Sequence, residues 1–185
     1  DGSIKFLMKL KDNKEVETVL IRESRRLTLC LSSQVGCQQK CIFCETAKMN
    51  LSRNLEVNEI ISQIVTVKHW LKNNQDYTTQ LNLNTNHPIT NIVFMGMGEP
   101  LDNVKNIITA ISIMQEPCGL NIAPKRLTVS TAGHLSGLKK LINSNLKFSL
   151  ALSLHATTNS LRSKLMPINK RFPIHEVFNT LKAFT

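Results

Sequence analysis

Residues 26–48 read RLTLCLSSQVGCQQKCIFCETAK, a β-rich run that passes directly into a loop holding three of the chain's five cysteines. RLTLCLSS, residues 26–33, predicts a strand, and VNEIISQIVTVKHWL, residues 57–71, repeats apolar residues at helical spacing. Strand, chemically loaded loop and helix follow in that order. Three further stretches repeat the beat: NIVFMGM (91–97) then VKNIITAISIMQ (104–115), RLTVSTAG (126–133) then LSGLKKLINS (135–144), and FSLALSLHA (148–156) then NSLRSKLM (159–166). Strands alternating with helices imply parallel pairing through right-handed crossovers. The fold class is therefore α/β with about four β-α units, either a partial (β/α) barrel or an open parallel sheet.

Upstream, IKFLMKL and EVETVLI flank KDNKE, whose Asp12-Asn13 pair suits a tight turn, so residues 4–21 read as a β-hairpin. The segment from Lys72 to His87 turns to Asn, Gln, Thr and Asp without a period and reads as a solvated surface loop. PIHEVFNTLKAF, residues 173–184, reads as a last helix opening at Pro173. The expected organisation is a hairpin over residues 1–25 leading into a core over residues 26–185. Because residue 1 is Asp and Thr185 falls inside a helical pattern, both ends of a longer protein are expected to lie outside this chain.

A chain of 185 residues with 42% apolar content can bury one ordinary core. It has no apolar run long enough for a bilayer and no signal-peptide order, which points to a cytoplasmic protein without a membrane partner. An odd number of cysteines, three of them crowded together, argues against a secreted disulfide framework. Lys and Arg outnumber Asp and Glu by 23 to 13, a formal charge of +10. That balance suits a polyanion such as RNA, although basic residues as scattered as Lys9, Arg22, Lys125, Lys139 and Arg171 also suit a solvated surface.

Cys37, Cys41 and Cys44 are spaced Cys-x3-Cys-x2-Cys, so one loop can offer three thiolates to a metal centre. Structural zinc takes four protein ligands, whereas a [4Fe-4S] cluster held by three cysteines keeps one iron open to a ligand. The alternative is zinc completed from afar by His69, His87, His134, His155, Cys30 or Cys118, or a redox dithiol. In parallel α/β folds ligands gather at the carboxyl ends of the strands. By that rule the cysteine loop, GMGEP at 96–100, Ser130-Thr131 and Ser153 to His155 share one rim. Gly96 and Gly98 clear the backbone for a ligand, and Glu99 can hold a cationic amine. Alone, the glycines would equally serve a tight turn and His155 a cap.

Together TLCLSSQVGCQQKCIFCETAK, NIVFMGMGEPLDN, RLTVSTAG, LALSLHA and LMPINKRFPI, in this order, closely resemble the radical S-adenosylmethionine enzymes that methylate an adenine C2 carbon in 23S rRNA and tRNA. The resemblance implies a radical enzyme of partial barrel fold with a [4Fe-4S] cluster and S-adenosylmethionine as cofactors. Cys37, Cys41 and Cys44 match the cluster ligands; Gly98 and Glu99 match the motif for the methionine amino group. Ser130, Ser153, Leu154 and His155 match further S-adenosylmethionine contacts. Glu17 matches the proton acceptor, and Cys30 the thiol that resolves a protein-RNA adduct by forming a disulfide. The resemblance further implies 23S rRNA and tRNA as partners, an electron donor such as flavodoxin, and a monomer. In that family the methyl-carrying cysteine lies beyond the part matched here, and Cys118, in EPCGLN, does not replace it by motif. The competing reading is an inert, zinc-bound RNA-binding domain.

Overall fold

The computed structural model describes residues 2–24, 26–79 and 88–182. Strands β1 (Ile4–Lys9), β2 (Glu15–Glu23) and β3 (Arg26–Cys30) form an antiparallel meander, with Ile4 opposite Leu20 and Val19 opposite Cys30. The expected hairpin is present, and Asn13 adopts φ 63° in its turn, a left-handed conformation that asparagine tolerates. Short strands β4 (Gln34–Val35) and β5 (Arg53–Asn54) pair with each other, bracketing the cysteine loop and helix α1 (Glu45–Lys48). Helix α2 (Val57–Asn73) follows behind a capping box of Glu56 and Glu59, and short helix α3 (Gln75–Thr79) behind that. Then come β6 (Asn91–Phe94), α4 (Val104–Gln115), β7 (Leu127–Thr131), α5 (Leu135–Ile142), β8 (Ser149–Leu152), α6 (Asn159–Leu165) and α7 (Ile174–Leu181).

The main sheet has six strands in the order β1-β2-β3-β6-β7-β8. From β3 to β8 every pairing is parallel, as the β-α beat requires. The hairpin is an antiparallel extension of that sheet through β2 and β3. Register decides which side chains share a face. Leu20, Leu29, Ile92 and Val129 point to one side, are all fully buried, and pack with Ile60, Ile64, Val67, Ile107, Ile111, Leu138 and Val177 of the covering helices. On the other side stand Glu17, Val19, Thr28, Val93, Thr128, Ser130 and Ala151, only half-buried, together with Cys30. The cysteine loop leaves the sheet at the C-terminal end of β3.

The solvated loop expected over 72–87 is corrected for its first part. Lys72 and Asn73 complete α2, and residues 75–79 are helical; residues 80–87 lie outside the described ones. The cause is aromatic anchoring. Trp70 meets Tyr77 and Phe6 edge-on at 5.5 and 5.4 Å, the Tyr77 hydroxyl donates to the Gly2 carbonyl, and the Asn74 side chain donates to the Trp70 carbonyl at 2.8 Å. These contacts are set by tertiary packing, so the polar composition of the segment conceals them.

Where β3 ends, a helix side chain stands in for a strand. Gln63 of α2, 1% exposed, accepts from the Ser32 amide at 2.9 Å and the Thr18 hydroxyl at 2.7 Å, and donates to the Ser32 carbonyl at 3.0 Å. Gln63→Leu would orphan three buried groups, each costing about 1–3 kcal/mol. The variant is expected to lose roughly 3 kcal/mol or more of unfolding free energy in urea titrations, whereas Gln63→Glu at low pH recovers part of it.

Candidate functional site

The cysteine loop is built on glycine. Gly36 sits at φ +78°, and a Cβ there would lie 1.6 Å from the Asn50 carbonyl oxygen, so the turn into Cys37 closes only without a side chain. The base of the loop is sewn to the segment after β6: Ser33 and Gln34 amides both donate to the Met97 carbonyl, at 2.8 and 3.2 Å. The Gln34 side chain accepts from the Glu99 amide at 2.8 Å and donates to Asn54 at 2.7 Å. Buried Asn103 donates to the Ser33 and Leu55 carbonyls at 2.9 and 2.8 Å. Gln39, between the first two cysteines, donates at 2.6 Å to Asp102, whose other oxygen lies 3.4 Å from His134 Nε2.

Gly96 and Gly98 also have a packing use that their sequence context does not reveal. A Cβ on Gly96 would meet the Leu31 carbonyl at 2.7 Å, and one on Gly98, at φ +98°, the Gln34 side chain at 2.6 Å. The glycines thus make room for the cysteine loop's own base, which presses against them.

Cys37, Cys41 and Cys44 line one cavity of about 310 Å³ with Gly96, Gly98, Glu99, Ser130, Ser153 and His155. Four separate strand ends therefore contribute to one concave wall. The Ser130 and Ser153 hydroxyls lie 3.5 Å apart, and exposed Phe43 packs its ring 4.2 Å from that of His155, which sits at φ 54°. Leu154 belongs to the same strand end and turns its carbonyl toward Arg162 at 3.2 Å. A larger hollow of about 680 Å³ beside the hairpin turn holds Asp12, Arg53 and Glu59, already tied in ion pairs at 2.8 and 2.7 Å, and no thiol.

Glu99 is 4% exposed, and its carboxylate accepts from the Leu101 amide (3.1 Å), the Thr131 hydroxyl (2.7 Å) and the Ala132 amide (2.7 Å). It thus bridges the ends of β6 and β7 before any ligand arrives. Burial pushes its carboxyl up to about 7 despite those donors. Burial likewise raises the thiols of Cys30 and Cys41, and takes Cys37 up to about 11. All five cysteines are free, so the disulfide implied for Cys30 is not formed here.

The donor set fits an iron-sulfur cluster. Three free thiols from one loop stand around a common cavity. In such a cluster each thiolate takes a different iron, so three thiols spread around a cavity leave the fourth iron for another ligand. Of the distant candidates for a fourth zinc ligand, His69 bonds Asn73 at 3.1 Å on α2, Cys118 is exposed, and His87 lies outside the described residues.

Glu17 and Cys30 do not line the cavity. They share the half-covered face of the sheet with Ser130, but Glu17 is paired with Lys5 at 2.8 Å and Cys30 is 8% exposed. Sequence reasoning also missed Arg162. It is fully buried, while its neighbour Leu161 is 51% exposed, an inversion of the usual preference that no local pattern announces.

The profile of the Radical SAM superfamily matches residues 31–185. A dual-specificity RNA methyltransferase RlmN of Campylobacter curvus is 45% identical over 197 residues, covering 100% of this chain and 50% of that protein. A probable dual-specificity RNA methyltransferase RlmN of Dictyoglomus turgidum is 44% identical, covering 97% of this chain and 49% of its own length. Among solved structures, a radical SAM methyltransferase from Sphaerobacter thermophilus superposes with a TM-score of 0.88 at 37% identity, covering 98% of this chain and 50% of that one. The chain spans about half the length of the curated relatives it matches.

The raised carboxyl of Glu99 has a signed consequence. The folded state holds the proton more tightly than an unfolded carboxyl near 4.5, so this stabilisation is complete below that pH and is lost as pH rises through about 7. The melting temperature of the unliganded chain is expected to fall between pH 5 and 8, read by differential scanning calorimetry, and Glu99→Gln is expected to flatten that part of the profile.

Proposed function

Because the chain belongs to the Radical SAM superfamily, we propose that it is the cofactor-binding part of an RNA methyltransferase acting on the C2 carbon of an adenosine in 23S rRNA and tRNA. The observation that carries this reading is the meeting of three loop thiols with Gly98, Glu99, Ser130, Ser153 and His155 on one cavity wall. The names of the relatives supply the substrate class.

Cys37, Cys41 and Cys44 would hold a [4Fe-4S] cluster, and the adjoining wall would hold S-adenosylmethionine. When bound, the cluster supplies one-electron cleavage of S-adenosylmethionine, and so the radical reactivity that an unactivated aromatic carbon requires. The chain's own residues bind and orient. Glu99, fixed by three donors, keeps acceptor capacity for the ammonium of the methionine moiety, and that cation returns the carboxyl to its ionised form. The Ser130 and Ser153 hydroxyls offer hydrogen bonds beside it, and the Phe43–His155 ring pair offers an aromatic wall for a purine. Leu154 contributes through its backbone.

Glu17 serves as proton acceptor once freed from Lys5, and Cys30 as the resolving thiol, each from the sheet face that continues from the cavity. A flavodoxin-type electron donor, a monomeric state and a cytoplasmic setting complete the reading. No described helix is long and apolar enough to cross a membrane.

Anaerobic reconstitution with iron and sulfide tests the proposal. The chain is expected to gain a broad visible absorbance band and to release 5′-deoxyadenosine from S-adenosylmethionine under a strong reductant, and Cys41→Ala is expected to lose both. Stoichiometric zinc with no cleavage would establish the zinc-bound reading instead.

A further inference from the structure

Around the cavity one buried cation lacks an anion. The guanidinium of Arg162, 0% exposed, donates to the carbonyls of Ala132 (2.7 Å), Ser153 (3.1 Å) and Leu154 (3.2 Å) and to Asn169 Oδ1 (2.8 Å). All four acceptors are neutral, and among the described residues Arg162 takes part in no ion pair with a carboxylate. Burying a charge on neutral dipoles alone is costly, and an apolar side chain of similar volume would be cheaper. With Leu161 exposed next to it, α6 had such a residue to turn inward.

The missing negative charge lies on the thiol side. Ala132 and Ser153, whose carbonyls the guanidinium grips, are cavity wall. Cys41 packs against the small apolar cluster of Ala132, Met166 and Ile168, and the next residue, Ile42, donates its amide to the Leu165 carbonyl of α6 at 3.0 Å. Three thiolates on a four-iron, four-sulfide core carry net negative charge.

We infer that Arg162 is the built-in counter-ion of the loaded cysteine loop, its buried guanidinium set behind the Ala132 wall to raise the reduction potential of the cluster held by Cys37, Cys41 and Cys44. This rests on the proposed function and names a positioning residue within it. A fixed positive charge in a medium of low dielectric favours the oxidation state with the additional electron, and charge near a cluster is one of the protein's means of setting its potential. The same guanidinium gathers the carbonyls at the ends of β7 and β8, so charge and wall geometry come from one side chain.

Redox titration of the reconstituted chain with titanium(III) citrate, followed by electron paramagnetic resonance of the reduced cluster, separates the two contributions. Arg162→Gln, which removes the charge, is expected to move the midpoint potential to more negative values. Arg162→Lys, which keeps the charge and loses the fork, is expected to stay close to the parent. A Gln variant with the parent's potential, or equal shifts in both variants, would overturn the inference. Should either variant fail to fold, the Nε–H resonance of Arg162 in the unmodified, arginine-labelled chain gives a second reading: it is expected to shift and broaden on cluster loading, and an unchanged resonance would overturn the inference. Failure of the unmodified chain to take up a cluster would instead sink the proposed function on which this rests.

Discussion

The site depends on two strand ends lying closer together than any side chain would permit. Leu31 to Gln34, leaving β3, press on Gly96 and Gly98, leaving β6, at distances that a single Cβ would violate. From that contact follow the amide bonds of Ser33 and Gln34 to Met97, the capture of the Glu99 amide by Gln34, and the inward turn of the Glu99 carboxylate onto β7. A bulkier residue at either glycine would part the cysteine loop from the strand end that supplies the opposite wall. The cost in backbone entropy is offset by a dense set of buried hydrogen bonds, and no buried side-chain polar atom lacks a partner among the described residues.

The register of the sheet divides the labour between its faces. The apolar side chains of one face pack on the helices and hold the fold together. The other face carries Glu17, Cys30 and Ser130, so a carboxylate, a thiol and a hydroxyl from β2, β3 and β7 are presented on one side by strand alternation alone. The rim above receives what the loops supply. Scaffold and chemistry are thus separable, as parallel α/β architectures allow.

The β-α beat, the hairpin and the thiol loop were legible in the sequence because each is a local pattern, carried by periodicity or by spacing within a few residues. The helix Val104–Gln115 coincides with its apolar period, and the cavity wall with the strand ends. What escaped is held by single side chains reaching backbone far along the chain. Gln63 reaches Ser32, Asn103 reaches Ser33, and Arg162 reaches Ala132, and no sequence window of helical or strand length contains both ends of any of these bonds. The helical turn at Gln75–Thr79 was hidden for the same reason, its anchor being Tyr77 against Trp70. The two glycines were noticed, but their purpose needed the distance to Gln34 to be seen.

The order β1-β2-β3-β6-β7-β8 never places a later strand between two earlier ones. Every strand of the sheet joins an edge that is already finished when it emerges, so a ribosome can lengthen the sheet stepwise, without any strand waiting for a partner still to be synthesised. The four ends that frame the cavity would then be laid down in the sequence β3, β6, β7, β8, so that its wall grows around the thiol loop one strand end at a time.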